Sequence, residues 1–320
     1  MRSGLEQIDK VADKIREEQL THVDTVVVGD NSSGKSLLLK CFIETIPEWT
    51  NVYFIDAVNR GFDIKKVPGA SYSSDYKQDV LSTRLRADYF NLQDSFNFYG
   101  TWTERIEMIY WLFEERLQKL FEKLTGDSFK ITDQSCIGEV RFEWGNGLLS
   151  TGYQALVRIL LELLYYEKKA VDELDVQHPW IVIDEIDEFL SPRYAARLLP
   201  FLRQEFPWAR WLVSTHSADF VASAANTNLV TLEDGACEVL DSNDYTSLAE
   251  VQVIFDRLFG SGIQKADETD ALLRRLMNNK MNHLWDEDDD KLLERLKQKT
   301  LSASQQLILR QIQNWCRQSR

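Results

Sequence analysis

The chain has 320 residues, 44% hydrophobic and 28% charged, enough for one large or two modest globular cores. A formal net charge of −14 argues against a surface coated for nucleic acid, although a local basic face is compatible with it. No apolar run reaches the roughly 18–20 residues a membrane span needs. The charged stretch Met1–Lys14 has no signal-peptide core, and four scattered cysteines suit reduced thiols in a cytoplasmic protein.

Leu5, Ile8, Val11, Ala12 and Ile15 recur at helical spacing, which predicts an amphipathic helix over about 4–18 that packs on the core or on a partner. Thr25–Val28 is the first clear strand, a β-branched run. It leads into Gly29-Asp30-Asn31-Ser32-Ser33-Gly34-Lys35-Ser36, and Leu37, Leu38 and Leu39 read as the buried start of a helix to about Thr45. Strand, glycine-rich loop and helix N-terminus in this order form a phosphate-binding loop. Gly29 and Gly34 allow the tight turn that aims successive N–H groups inward, the backbone of Asn31, Ser32 and Ser33 included. The helix dipole adds positive charge at the same place. Lys35 offers a mobile cation for β- and γ-phosphates, and Ser36 an oxygen for Mg²⁺.

Val52–Ile55 is a short buried-strand candidate ending at Asp56. Residues 57–148 read as a mostly helical lobe inserted into the nucleotide-binding fold. Arg60, Arg84 and Arg86 in it are open to two uses, phosphate contact or pairing with acids. Thr101-x-x-Glu104 is a capping box. The stripe Ile106, Ile109, Tyr110, Phe113, Leu117, Leu120, Phe121 and Leu124 is core, and Gly126 closes that helix. Gly138–Trp144 alternates as a strand, and Gly145-Asn146-Gly147 turns. Leu149-Ser150-Thr151-Gly152-Tyr153-Gln154 then opens a long apolar helix from Ala155 to about Lys168, a second place where a helix start can meet an anion.

Trp180–Ile183 is an apolar strand ending in Asp184 and Glu185. Downstream of a phosphate loop this is the pattern in which Asp184 holds Mg²⁺ opposite Ser36 and Glu185 polarises water as general base. Trp211–Ser214 is the next strand, followed by Thr215, His216 and Ser217. A histidine just past a strand beside the Asp184 strand can reach the γ-phosphate and the attacking water. Leu229–Leu232 and Cys237–Leu240 flank a hairpin signal, Glu233-Asp234-Gly235. From Ser247 onward the pattern is helical. The acidic run 286–290 reads as a helix start, not a calcium loop. Residues 291–320 hold seven Lys/Arg against one Glu, which fits a solvated helix face or a local nucleic-acid surface.

Together these motifs resemble the ABC-type ATPase heads of the SMC, recombination-protein and overcome-lysogenization (OLD) group. Gly29–Ser36 looks like that group's Walker A loop with Asn in its third position, and Leu149–Gln154 like the ABC signature. Ile183–Pro192 is similar to the OLD-like Walker B and following loop, and Ser214–Ser217 to the switch-histidine motif. The likeness covers about 20–240. Two departures are a helix in place of the usual strands ahead of the loop, and a Q-loop for which Gln78 and Gln93 are both candidates.

The resemblance implies an α/β P-loop NTPase: an ATPase domain over 1–245, the lobe 57–148 inserted, and a helical C-terminal extension over 246–320. It implies ATP and Mg²⁺ as ligands and a head-to-tail homodimer closing on two ATPs. Lys35, Ser36, Asp184, Glu185 and His216 would act in cis, and Ser150 and Gly152 in trans. Residues 246–320 are too few for the TOPRIM nuclease domain of the OLD proteins, so a nuclease would be a separate effector subunit. The expected setting is DNA repair or phage defence, with DNA as a possible partner. A transporter subunit and a non-hydrolysing interaction module are the competing readings.

Overall fold

The computed structural model describes residues 2–68, 106–134, 137–142, 149–233, 236–245 and 247–258, and beyond these 272, 276, 285, 287–297, 309 and 312. The chain divides into two compact units, residues 1–258 and 259–320. Among the described residues no helix is long and apolar enough to cross a membrane.

The first unit is built on a six-stranded sheet. Its strands are β1 (Thr25–Gly29), β2 (Val52–Ile55), β5 (Trp180–Ile183), β6 (Arg210–Thr215), β7 (Asn228–Glu233) and β8 (Ala236–Asp241), in the spatial order β2-β5-β6-β1-β7-β8. Every neighbouring pair is parallel except the edge pair β7–β8, which is antiparallel with Glu233 opposite Ala236. The turn residues 234 and 235 lie outside the described residues. The central strands read as continuous apolar runs because helices cover both faces of a parallel sheet. Val26, Val27, Val28, Ile181, Val182, Ile183, Leu212 and Val213 are all fully buried.

Helix α1 (Arg2–Arg16) and helix α2 (Lys35–Thr45) pack on one another and on the sheet. Ile8, Val11, Ala12 and Ile15 share one core cluster with Leu38, Phe42, Val27, Val182 and Val230, so of the two readings for the first helix the core is the one realised. Leu38 and Leu39 are buried as expected. Leu37 is not: it is 38% exposed, because its place on the first turn turns it away from the sheet. At the N-terminal ends of the strands, the Asp24 carboxylate accepts from Trp211 N at 2.9 Å and from Arg203 Nε at 2.6 Å, tying β1 to β6 and to helix α5 (Pro192–Glu205).

Residues between β2 and β5 supply helix α3 (Tyr110–Thr125), an antiparallel hairpin of β3 (Phe129–Gln134) and β4 (Ile137–Phe142), and helix α4 (Thr151–Tyr166). The expected stripe on α3 is buried, with Phe113 only partly so, and Gly126 ends the helix at φ +82°. The pairing of β4 with Phe129–Gln134 went unread because Lys130, Thr132 and Asp133 dilute the apolar signal on β3. The capping box at Thr101 lies outside the described residues. Helix α4 continues through a π-helical turn over Glu167–Asp172, so the expected end near Lys168 falls inside that turn. The short helix α6 (Ala218–Ser223), between β6 and β7, packs with helix α7 (Leu248–Leu258), which follows residue 245 yet belongs to the first unit. In the second unit, helix α8 (Glu287–Lys297) begins at the acidic run, and Leu276, Leu293, Leu296, Leu309 and Ile312 form a small core.

Among the described residues of the first unit, the ion pair between Arg158 and Glu162 is fully buried. Arg158 Nε meets Glu162 Oε1 at 2.6 Å on α4, with both side chains 3% exposed or less, and Tyr53 Oη on β2 donates to Glu162 Oε2 at 3.0 Å. Arg158→Met would strand a buried carboxylate and should destabilise the first unit by about 3–5 kcal/mol, whereas R158M/E162L should recover most of that loss. Urea denaturation of the two variants checks this. A double variant no more stable than the single one would contradict it.

Candidate functional site

The loop 30–34 joins β1 to α2 at the C-terminal end of the sheet. Its path needs left-handed backbone at two residues, Ser32 at φ +65° and Gly34 at φ +108°. Gly29 has no room for a Cβ, which would stand 2.7 Å from Leu232 O on β7 and collide with Ser33 Oγ. Asn31 and Ser32 are exposed, and Asn31 N donates to Asp30 Oδ1 at 2.7 Å. Ser33 Oγ is buried without a hydrogen-bond partner, a polar atom for which the loop itself provides no acceptor. Lys35 is 5% exposed, and its Nζ donates to the loop carbonyls of Gly29 at 3.0 Å and Asp30 at 3.2 Å. Burial pushes the Lys35 ammonium below its ordinary pKa of 10.5, against the pull of Glu185, Asp184 and Asp30.

Two neighbouring strands deliver the other groups. β5 ends at Asp184, which is 2% exposed; Ser36 Oγ donates to its Oδ2 at 2.7 Å. β6 lies between β1 and β5 and ends beside this carboxylate. Ser214 Oγ on β6 donates to Asp184 Oδ1 at 2.5 Å and accepts from Glu185 N at 2.7 Å. Glu185 sits at φ +49°, and its Oε1 is 2.9 Å from His216 Nε2. The hydrogen bond from His216 holds the Glu185 carboxyl below the usual carboxylate range, opposed by burial and assisted by Lys35 and Arg60. An ionised carboxylate only accepts, so Nε2 carries the imidazole proton in this bond. Asp187, half-buried next along, is pushed up by burial despite a hydrogen bond with Thr215.

The predicted residues thus fall into two places. Ser36, Asp184, Glu185 and His216 form one hydrogen-bonded group linked through Ser214, with Lys35 beside it on the loop. Ser150 and Gly152 make no hydrogen bond to it. Ser150 is exposed and caps α4, accepting from Tyr153 N at 3.3 Å, and a Cβ on Gly152 would stand 2.8 Å from Phe189 O. Two residues take roles that the sequence did not assign to them. Ser214 was named only as the end of an apolar strand and the first residue of the stretch Ser214–Ser217. Arg60 is 2% exposed and its Nη2 donates to Asp184 O at 2.7 Å, so it holds the backbone of the carboxylate turn, a role outside the phosphate contact and acid pairing left open for it. Arg84, Arg86, Gln78 and Gln93 lie outside the described residues.

Anion and cation fit the groups present. The loop offers the buried, unpartnered Ser33 Oγ and the buried Lys35 ammonium, and Ser36 with Asp184 presents two hard oxygens of the kind Mg²⁺ takes, with substrate phosphates and water completing its shell. Among the described residues no cluster of three or more His, Cys, Asp and Glu forms a metal cage.

No family model matches the sequence. A stretch of 117 residues, 35% of this chain, is 30% identical to the Septu protein PtuA of Bacillus thuringiensis, of which it covers 28%. A stretch of 106 residues, 32% of the chain, is 27% identical to the Septu protein PtuA of Bacillus mycoides (strain KBAB4) and covers 15% of it. The matches therefore span less than a third of these curated relatives. Among solved structures, the SMC head domain from Thermotoga maritima is 18% identical, with 68% of this chain and 89% of that chain covered at a TM-score of 0.33. A putative metal-chelate type ABC transporter is 16% identical, with 75% and 79% covered at a TM-score of 0.39.

Removing the Ser214 hydroxyl tests the bridge. Ser214→Ala frees Asp184 Oδ1 and Glu185 N, and loss of such an outer hydrogen bond costs about 10–100-fold in cation affinity or activity. The expected outcome is a loss of that size in Mg²⁺-dependent nucleotide binding, read by calorimetric titration at several Mg²⁺ concentrations.

Proposed function

We propose that the chain is an ATP-binding and ATP-hydrolysing head of the ABC/OLD-like kind, working as an ATP-driven dimerisation switch. The observation that carries this reading is the connected group Ser36–Asp184–Ser214–Glu185–His216, which gathers loop, cation ligand and base at the ends of three adjacent parallel strands. In this reading the backbone of Gly29–Gly34 wraps the phosphates, and Lys35 moves from the Gly29 and Asp30 carbonyls to the β- and γ-phosphate oxygens. Ser36 and Asp184 would hold Mg²⁺, which when bound offsets charge on the phosphates and favours departure of ADP. Glu185 orients a water toward the γ-phosphorus and takes its proton as the bond to ADP breaks. A depressed pKa makes Glu185 a weak base, suited to aligning and polarising water late in a loose transition state. His216 keeps the carboxylate in place through its Nε2–H.

Ser150 and Gly152 make no hydrogen bond to this group. They are assigned to the nucleotide of a second copy, so that ATP closes a homodimer and hydrolysis loosens it. In this reading the ATPase domain spans 1–245, with its lobe at 57–148 inserted, and a helical C-terminal extension follows at 246–320. The setting assigned is cytoplasmic phage defence beside a separate effector or nuclease subunit, which the similarity to the Septu proteins favours over DNA repair.

Glu185→Gln keeps the shape of the site and removes the proton acceptor. It should bind ATP with near wild-type affinity, turn over at least about 100-fold more slowly, as expected for loss of general-base catalysis, and accumulate as a dimer with ATP. Light scattering beside a phosphate-release assay reads both effects. Normal turnover with a monomeric ATP state would sink the assignment.

A further inference from the structure

The site described so far accounts for the phosphates and leaves the nucleoside without a place. Direction within the fold supplies one. The carboxylates and His216 stand on β5 and β6, on one side of β1, so the reacting end of a triphosphate in the loop points that way. Its other end must leave on the opposite side, toward β7, β8 and α1.

Helix α1 borders the loop there. A Cβ built on Gly34 would lie 3.2 Å from Ile8 Cδ1, and Gln7 Oε1 accepts from Cys237 N of β8 at 3.2 Å. α1 and α2 both start at the loop end of the sheet. Glu18, just beyond α1, reaches Arg210 at the far end of β6, and Cys41 of α2 faces Asp9 of α1. Leu5 is four residues before Asp9, and Leu37 is four before Cys41. The two leucines therefore sit one turn nearer the loop on adjacent helices. Leu5 continues the buried stripe Ile8–Ala12–Ile15, yet it is 48% exposed; Leu37, next to Ser36, is 38% exposed.

We propose that Leu5 and Leu37 form an apolar platform for the base of the bound nucleotide. The inference rests on the phosphate-loop reading and adds the subsite for the nucleoside. An aromatic base laid on two leucines is recognised by buried area and not by hydrogen bonds at its edges.

The test compares ATP with inorganic tripolyphosphate, which has the phosphates and no base. Binding of both, with Mg²⁺, is measured calorimetrically on the full chain and on L5Q/L37Q and L5M/L37M; glutamine adds no charge and is a good helix former. L5Q/L37Q should weaken ATP binding about tenfold, the size expected when a modest apolar contact is lost, and leave tripolyphosphate unchanged. L5M/L37M should stay near wild type for ATP, and the loss should fall on KM in a turnover assay. Unchanged ATP binding in L5Q/L37Q, or an equal loss for both ligands, overturns the platform. Wild-type protein that binds neither ligand overturns the phosphate-loop reading beneath it.

Discussion

The carboxylate of Asp184 is the point on which the site depends. Its two oxygens are held by hydroxyls from two other elements, Ser36 on α2 and Ser214 on β6, while its backbone carbonyl is held by Arg60 and its N–H by Ile55 O on β2. A buried carboxylate is tolerable only when such donors replace water. Here the donors come from every segment that must be aligned for the chemistry. The interactions that make the charge affordable also bring the loop, the β5 turn and the histidine strand into register.

The sheet order makes that possible. β6 lies between the loop strand β1 and the carboxylate strand β5. Its Ser214 can therefore reach back to Asp184 and Glu185 N, while His216, past the strand end, meets the Glu185 side chain. The left-handed backbone at Glu185 turns that side chain toward His216 instead of continuing the strand. Strain of this kind persists where surrounding contacts over-determine it, and the bonds to Glu185 N and Ile186 N from β6 do so.

Helix α1 replaces the strands that the resemblance places ahead of the loop. Its apolar stripe covers α2 and joins the central core, which makes it part of the scaffold. On the other flank, Gly152 lies so close to Phe189 O that a side chain would not fit. The start of α4 is thereby seated on the turn that follows Asp184 and Glu185. Tyr153 Oη extends the contact, 2.9 Å from Tyr194 Oη at the start of α5. A shift in the carboxylate turn would be felt at Ser150 and Gly152 through these contacts.

Much of the site was legible in the residues because phosphate chemistry uses local signals. A β-branched run, Gly29–Ser36 and a helix follow one another within a few residues, and each strand that ends in a functional group announces itself by its apolar run. By itself, then, the sequence determined the strand–loop–helix segment around Gly29–Ser36, the strands β1, β2, β5, β6, β7 and β8, and the identity of Asp184, Glu185 and His216 as a set worth testing. Only the tertiary structure decided that β6 separates β1 from β5, that Ser214 and Arg60 hold Asp184, that Leu37 faces solvent, and that the weakly alternating segment Phe129–Gln134 is a strand. The physical reason is one of range. Backbone propensity and periodicity act over a few residues, whereas strand order, the donors a buried carboxylate finds and the face a helix leaves uncovered depend on segments more than a hundred residues apart, such as Ser36 and Asp184, which meet only when the sheet closes.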